Sequence, residues 1–227
     1  MPVKLAVFDL AGTTVKDDNA VASAFCKAFD AYGYTVSEEA VRPLMGYKKP
    51  VAIQIILEKM GIETDEELVN DIHREFEMEM IDHYEYSPDV KAIPGAEMVM
   101  LQLKEKGIRV ALNTGFTKII ADTILHRLQW REKGIADDCI ASDEVEEGRP
   151  QPFMIRALME RAGIDDPKEV VKIGDTEADV NEGRNADCAL VIAVTTGAFA
   201  KEQLETYSPD YIIDNLSELP PLIFDCD

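Results

Sequence analysis

The stretch Val3-Lys4-Leu5-Ala6-Val7-Phe8-Asp9-Leu10-Ala11-Gly12-Thr13-Thr14 decides how the chain is read. Its apolar residues are nearly continuous rather than alternating, the mark of a strand covered on both faces, as strands of parallel sheets are. It ends on an acid and a glycine turn. Five more runs of strand length follow at residues 108–112, 138–141, 170–173, 189–194 and 211–213. Longer stretches of helical period separate them, so the expected fold class is α/β with a parallel sheet.

The 227 residues carry 23 Lys and Arg against 44 Asp and Glu, a formal charge of −21. Nucleic-acid binding leans on clustered Lys and Arg, and anionic membranes attract a polybasic face, so neither is expected as a partner. The hydrophobic share is 46%, enough for a sizeable core. The apolar run at the amino end is too short for a signal-peptide core, and the longest uncharged stretch, 188–200, is too short to span a bilayer. Cys26, Cys139, Cys188 and Cys226 are scattered, without metal spacing, as expected of reduced thiols in a soluble cytoplasmic protein. None of His73, His83 and His126 falls in a metal or triad motif.

From about residue 16 to 88 there is no convincing strand, only helical periodicity: Val21, Phe25 and Phe29; Val51, Ile55, Ile56 and Leu57; Leu68, Ile72, Phe76 and Met80. A helical segment of that length between the first two strands is most simply an inserted cap domain, 16–88, on a core formed by 1–15 and 89–227. Its expected hinges are residues 14–19 and 84–94, where Ser87-Pro88 and Pro94-Gly95 punctuate the pattern. Residues 220–227, opening on Pro220-Pro221, read as a short docking or frayed tail.

Chemistry-bearing residues gather at the carboxyl ends of the expected strands, where open α/β sheets bind ligands. Asp9 closes the first. Asn113-Thr114-Gly115-Phe116 closes the second, and Gly174-Asp175-Thr176-Glu177-Ala178-Asp179 follows the fourth, with two carboxylates one helical turn apart. Between them lies Gly148-Arg149-Pro150. Each has an ordinary reading as a cap or turn. Together, three carboxylates at one sheet edge would repel unless a hard cation sat among them, and an oxygen-only donor set points to Mg²⁺ rather than zinc. No P-loop, dinucleotide glycine fingerprint or zinc-protease signature is present.

These motifs, in this order and over nearly the whole chain, resemble the haloacid dehalogenase-like (HAD) hydrolases, and within them the phosphonatase branch. That branch is similar in Asp9-Leu10-Ala11-Gly12-Thr13-Thr14, in Met45-Gly46-Tyr47-Lys48-Lys49 of the cap, in Asn113-Thr114-Gly115, in Gly148-Arg149-Pro150 and in Gly174-Asp175-Thr176 with Glu182-Gly183-Arg184-Asn185-Ala186. The resemblance implies a Rossmann-like core with an inserted helical cap, and Asp9 as a nucleophile forming an aspartyl-phosphate. It implies Mg²⁺ held by Asp9, the Ala11 carbonyl and Asp175, with Asp179 supporting. It gives Thr114, Gly115, Gly12 and Thr13 to the phosphoryl group, and sets Arg149 where most of the superfamily has Lys. The implied ligand is a small phosphonate or phosphorylated metabolite, and relatives of this kind often form homodimers.

Ala11 sets the subclass. Ordinary phosphatases of the superfamily carry there an Asp that protonates the leaving alkoxide, which alanine cannot do. A phosphonatase needs no such proton, because a cap lysine forms a Schiff base that accepts the electrons of the broken phosphorus–carbon bond, and Lys49 aligns with that lysine. Burial beside another cation such as Lys48 is expected to lower its pKa, and Lys48 is expected, with Arg149 and Lys49, to give the cleft a positive rim that binds the anionic substrate. Three positions depart from the branch: Ala52 stands at a cap His, Phe116 at a Tyr and Asn19 at a Cys. Phosphonoacetaldehyde hydrolysis is the leading expectation. A phosphate-ester phosphatase and a catalytically silent phosphate-binding protein remain the alternatives.

Overall fold

Strands that are apolar on both faces need cover on both, and the chain supplies it. In a computed structural model, which describes residues 2–224, all six expected runs are strands: β1 (Leu5–Asp9), β2 (Arg109–Thr114), β3 (Asp138–Ala141), β4 (Val170–Gly174), β5 (Leu190–Val194) and β6 (Tyr211–Ile213). They form one parallel sheet in the order β3-β2-β1-β4-β5-β6. Side chains alternate across it. Ala6, Phe8, Val110 and Leu112 face a layer that includes α5 (Ala96–Glu105), α6 (Lys118–Leu128) and the helix Leu219–Phe224. Leu5, Val7 and Ala111 face one that includes α7 (Phe153–Ala162) and α8 (Glu177–Asn185). The chain order reverses between β1 and β4, and the crevice beyond the carboxyl ends of those strands is where such sheets take ligands.

Between β1 and α5 lie α1 (Ala20–Ala31), α2 (Glu38–Val41), α3 (Lys49–Lys59) and α4 (Glu66–Tyr86), and no strand among the described residues. Each forms for a local reason. Asp17 Oδ1 accepts from the Val21 amide at the start of α1, Ser37 and Asp65 cap α2 and α4, and Pro50 sits in the first turn of α3, where its missing N–H costs nothing. Phe25 of α1 packs on Phe76 of α4 with ring centroids 4.6 Å apart. Ile72, Phe76 and Met80 are buried as their spacing predicts, and Tyr84 continues the stripe. On α3 the buried face is Ala52, Ile53, Ile56 and Leu57, while Val51 is exposed: the inward stripe is rotated from the one expected.

The two chain segments that lead into and out of this helical unit run side by side. Lys16 N donates to Lys91 O (3.0 Å) and Ile93 N to Thr14 O (2.9 Å). At the carboxyl end, residues 219–224 are a helix whose Leu219, Pro220 and Ile223 are buried, so this part of the expected tail is packed core; the rest of it, with Cys226, lies outside the described residues. Cys26, Cys139 and Cys188 are free thiols. No helix among the described residues is long and apolar enough to cross a membrane.

Phe29 of α1 is fully buried in the packing of this helical unit. Phe29→Ala is expected to lower folding stability by about 3–5 kcal/mol, read as a lower denaturant midpoint at unchanged slope.

Candidate active site

Asp9 stands at the end of β1, buried, beside the end of β2 that carries Asn113 and Thr114. Between β4 and α8 the turn is held by a reciprocal cap. Asp179 N donates to Thr176 Oγ1 (3.3 Å), while Asp179 Oδ2 accepts from Thr176 N (3.2 Å) and Thr176 Oγ1 (2.6 Å). That cap aims Asp175 and Asp179 back at Asp9, and one oxygen from each of the three carboxylates lies within 4.8 Å of the others. Asp175 accepts from Thr13 Oγ1 (2.9 Å) and the Ala198 amide (2.7 Å). A Cβ on Gly12 or Gly197 would strike its carboxylate at 2.5 or 2.0 Å, so glycine is what allows that approach.

Arg149 reaches under these acids. Its NH1 lies 2.6 Å from Asp9 Oδ1 and 3.0 Å from Asp179 Oδ1, its Nε 3.0 Å from Glu182 Oε2, and its NH2 donates to Asn113 O (2.8 Å) and Oδ1 (2.5 Å). Lys172 of β4 completes the network, 2.8 Å from Asp179 Oδ1 and 2.7 Å from Asn113 Oδ1. Burial raises Asp9 to about 6 against the pull of Arg149, whereas Arg149 and Lys172 hold Asp179 below the usual range despite its burial. Burial together with Asp9 and Asp179 pushes Asp175 well above that range. Four carboxylates here face two cations, an excess of two negative charges that one divalent cation would balance. The all-oxygen donors and their separation therefore fit Mg²⁺. Asp9 and Asp175 would hold it, with Asp179, already engaged by both cations and Thr176, orienting them.

The loop leading into α3 lies directly over these groups. A Cβ on Gly115 would sit 2.5 Å from the carbonyl oxygens of Gly46 and Tyr47, and one on Gly46 would sit 2.5 Å from Thr176 Oγ1. What remains between loop and sheet is a cavity of about 20 Å³, room for one water. Asp9, Ala11, Lys49, Thr114, Gly115 and Asp175 are on its wall, with Met45 and Phe116. Gly12 and Thr13 stand behind Asp175 instead, Thr13 being spent on that carboxylate.

Lys49 is buried among three rings. Its Nζ lies 5.1 Å from the centroid of Phe116, 5.6 Å from Phe25 and 5.9 Å from Phe76, and donates to Tyr47 O (3.2 Å). Burial lowers its pKa to about 8, against the pull of Asp9, and the cation that adds to this is Arg149. Lys48, expected in that role, turns away and donates to the carbonyls of Val145 (3.3 Å) and Glu146 (3.4 Å). Sequence reasoning missed Asn113 and Glu182 as partners of Arg149, and Lys172 as the second cation they share. Lys172, a charge inside the apolar strand Val170-Val171-Lys172-Ile173, was the available signal. Phe25 and Phe76 gave none, since rings at helical spacing read as core.

Glu182 is fully buried between Arg149, Lys172 and the Asn113 amide. Removing its charge takes from Arg149 Nε and Lys172 Nζ the one carboxylate oxygen that both of them face. Glu182→Gln is expected to cost about 3–5 kcal/mol of stability, visible as a lower thermal midpoint.

The chain is similar in sequence and fold to known proteins. Residues 6–194 match the family described as Haloacid dehalogenase-like hydrolase. A phosphonoacetaldehyde hydrolase of Bordetella pertussis is 30% identical over 99% of this chain and 93% of its own. Another, from Bacteroides fragilis, is 28% identical over 97% and 95%. Among solved structures, a phosphonoacetaldehyde hydrolase-like protein from Oleispira antarctica superposes with a TM-score of 0.84 at 23% identity, covering 99% of this chain and 92% of that one. A hydrolase from Pseudomonas syringae gives 0.88 at 17% identity, covering 98% and 99%. With its fold, its carboxylate cluster and these matches, the chain belongs to the haloacid dehalogenase-like hydrolase family and is a hydrolase of that family.

Proposed function

We propose that this hydrolase is a Mg²⁺-dependent phosphonatase acting on a small phosphonate that carries a carbonyl, with phosphonoacetaldehyde as the leading substrate. The observation that carries the reading is Lys49: an amine buried under the loop that covers Asp9, with its pKa lowered to about 8. At neutral pH roughly a tenth of such an amine is free base, against less than a thousandth for an exposed lysine. That free amine can attack a carbonyl carbon and form an imine.

In this reading residues 16–88 act as a cap on the core, and the paired segments at 14–16 and 91–93 are its hinge. The cap must open to admit substrate, because the closed cavity holds no more than a water. Bound substrate is held by Thr114 and the Gly115 amide. Asp9 attacks phosphorus as the phosphorus–carbon bond breaks, and that electron pair passes into the iminium on Lys49 to leave an enamine. Water then releases phosphate from Asp9, and the enamine is protonated and hydrolysed to the aldehyde. The divalent cation supplies charge neutralisation between Asp9 and the phosphoryl oxygens. Arg149 fixes the Asp9 carboxylate through Oδ1 and leaves the other oxygen for attack. No proton from position 11 is required, which accounts for Ala11.

Asp9→Asn is expected to abolish turnover while the fold is kept; turnover equal to the unmodified protein would remove Asp9 as nucleophile. Borohydride with phosphonoacetaldehyde should trap an adduct that Lys49→Met lacks. Trapping requires the free amine, so its rate should rise about tenfold per pH unit below about 8 and level off above it. Trapping that is flat from pH 6 to 9, or equal in the variant, would leave phosphate-ester hydrolysis as the reading. Phosphate binding without turnover of any phosphonate or ester would leave a silent binding protein.

A further inference from the structure

Tyr84, on the inward face of α4, is 1% exposed, and its hydroxyl has no hydrogen-bond partner among the described residues. A buried donor left unpaired costs about 1–3 kcal/mol, and phenylalanine would fill the same space without that cost. The ring is placed by its neighbour. It meets Phe116 edge-on, with centroids 5.9 Å apart, and Phe116 is both a wall of the cavity and the ring closest to Lys49 Nζ. The charges that the phenol feels are those of Asp17 and Asp9, which with burial hold it well above its ordinary pKa. It is therefore a donor that keeps its proton, within electrostatic reach of the nucleophile and one ring away from the amine. Around Lys49 lie the three rings, the Tyr47 carbonyl, and the charges of Asp9, Arg149, Asp17 and Asp179; His73 of α4 also feels the Lys49 charge, and Ala52 contributes no polar atom.

We propose that Tyr84 contacts substrate: its hydroxyl donates a hydrogen bond to the oxygen of the carbonyl group that Lys49 attacks. The inference rests on the Lys49 reading above. As Lys49 Nζ adds to the carbonyl carbon, the π pair of the C=O bond moves onto oxygen, where the phenol stabilises the growing charge. When the C–N double bond forms, the C–O bond breaks and the oxygen leaves as water. It takes one proton from the nitrogen and one from solvent, while Tyr84 keeps its own and holds the departing oxygen by its hydrogen bond. The substrate class this selects is an aldehyde or ketone phosphonate, not a simple alkyl phosphonate.

The test is Tyr84→Phe in the full chain, which keeps the ring and removes only the hydroxyl. Its thermal midpoint should be equal to or above that of the unmodified protein. The rate of borohydride-trapped adduct formation and kcat/KM for phosphonoacetaldehyde should both fall at least tenfold. Any slow hydrolysis of p-nitrophenyl phosphate, whose leaving group involves no imine, should change less than twofold. Adding Phe116→Tyr to this variant, which returns a phenol on the adjoining ring, should recover part of the adduct rate. Tyr84→Phe forming adduct at the unmodified rate would overturn the role of Tyr84 alone. An equal fall on both substrates would reduce it to a structural one. No adduct in the unmodified protein would overturn the Lys49 reading, and the role of Tyr84 with it.

Discussion

The buried guanidinium of Arg149 ties the site to the fold. It joins the end of β1 through Asp9, the end of β2 through Asn113, and α8 through Asp179 and Glu182. Nε, NH1 and NH2 each have a different partner, a division of labour that the single ammonium of a lysine cannot make. Such a cluster is costly to bury and costlier to break, because each charge is desolvated for the sake of its partners. What it secures is geometry: the Asp9 carboxylate has one oxygen fixed and the other free of Arg149. Lys172 adds a second cation from β4, so the four acids are held together without being neutralised. The remaining negative charge is the reason the site suits a divalent cation.

Over this polar floor lies an apolar roof. Phe25, Phe76 and Phe116 surround Lys49, and two effects oppose each other there. Desolvation disfavours the ammonium, while the ring faces and the carboxylates below favour it. Desolvation wins, by enough to bring the pKa near neutrality and not enough to strip the amine of its proton altogether. The formal charge of −21 concerns this chamber little, since screening removes distant surface charge within about 8 Å of salt solution. Lys48 and Arg149 do not form a positive rim around it. The first is turned to backbone carbonyls and the second is enclosed by acids.

Much of the fold was legible because strand burial leaves a local trace. Six apolar runs became six strands, with ends shifted by at most two residues, since a parallel strand must be apolar at successive positions whatever its neighbours are. Asp9, Thr114, Arg149, Asp175 and Asp179 were legible because strand ends and helix starts are where their chemistry can be presented. Glu182 and Asn113 were on the page only as members of motifs. Their pairing with Arg149 depends on the distance between β2 and α8, which no local pattern encodes. Val51 was misread for the same kind of reason, since which side of a short helix turns inward is settled by what packs against it, and packing likewise chose docking over fraying for residues 220–224.

By itself the sequence determined the α/β class, the insertion of helices after the first strand, and the set of carboxylates at the sheet's edge. These follow from periodicity and from residue chemistry, which are properties of neighbours along the chain. Only the tertiary structure decided that Lys49 lies in a ring cage, that Lys48 does not accompany it, and that Tyr84 is left with an unpaired hydroxyl in the same roof. Those depend on how α1, α3 and α4 meet one another above the sheet. Packing of that kind brings together residues tens of positions apart, and their burial, not their identity, sets how they ionise and what they can do.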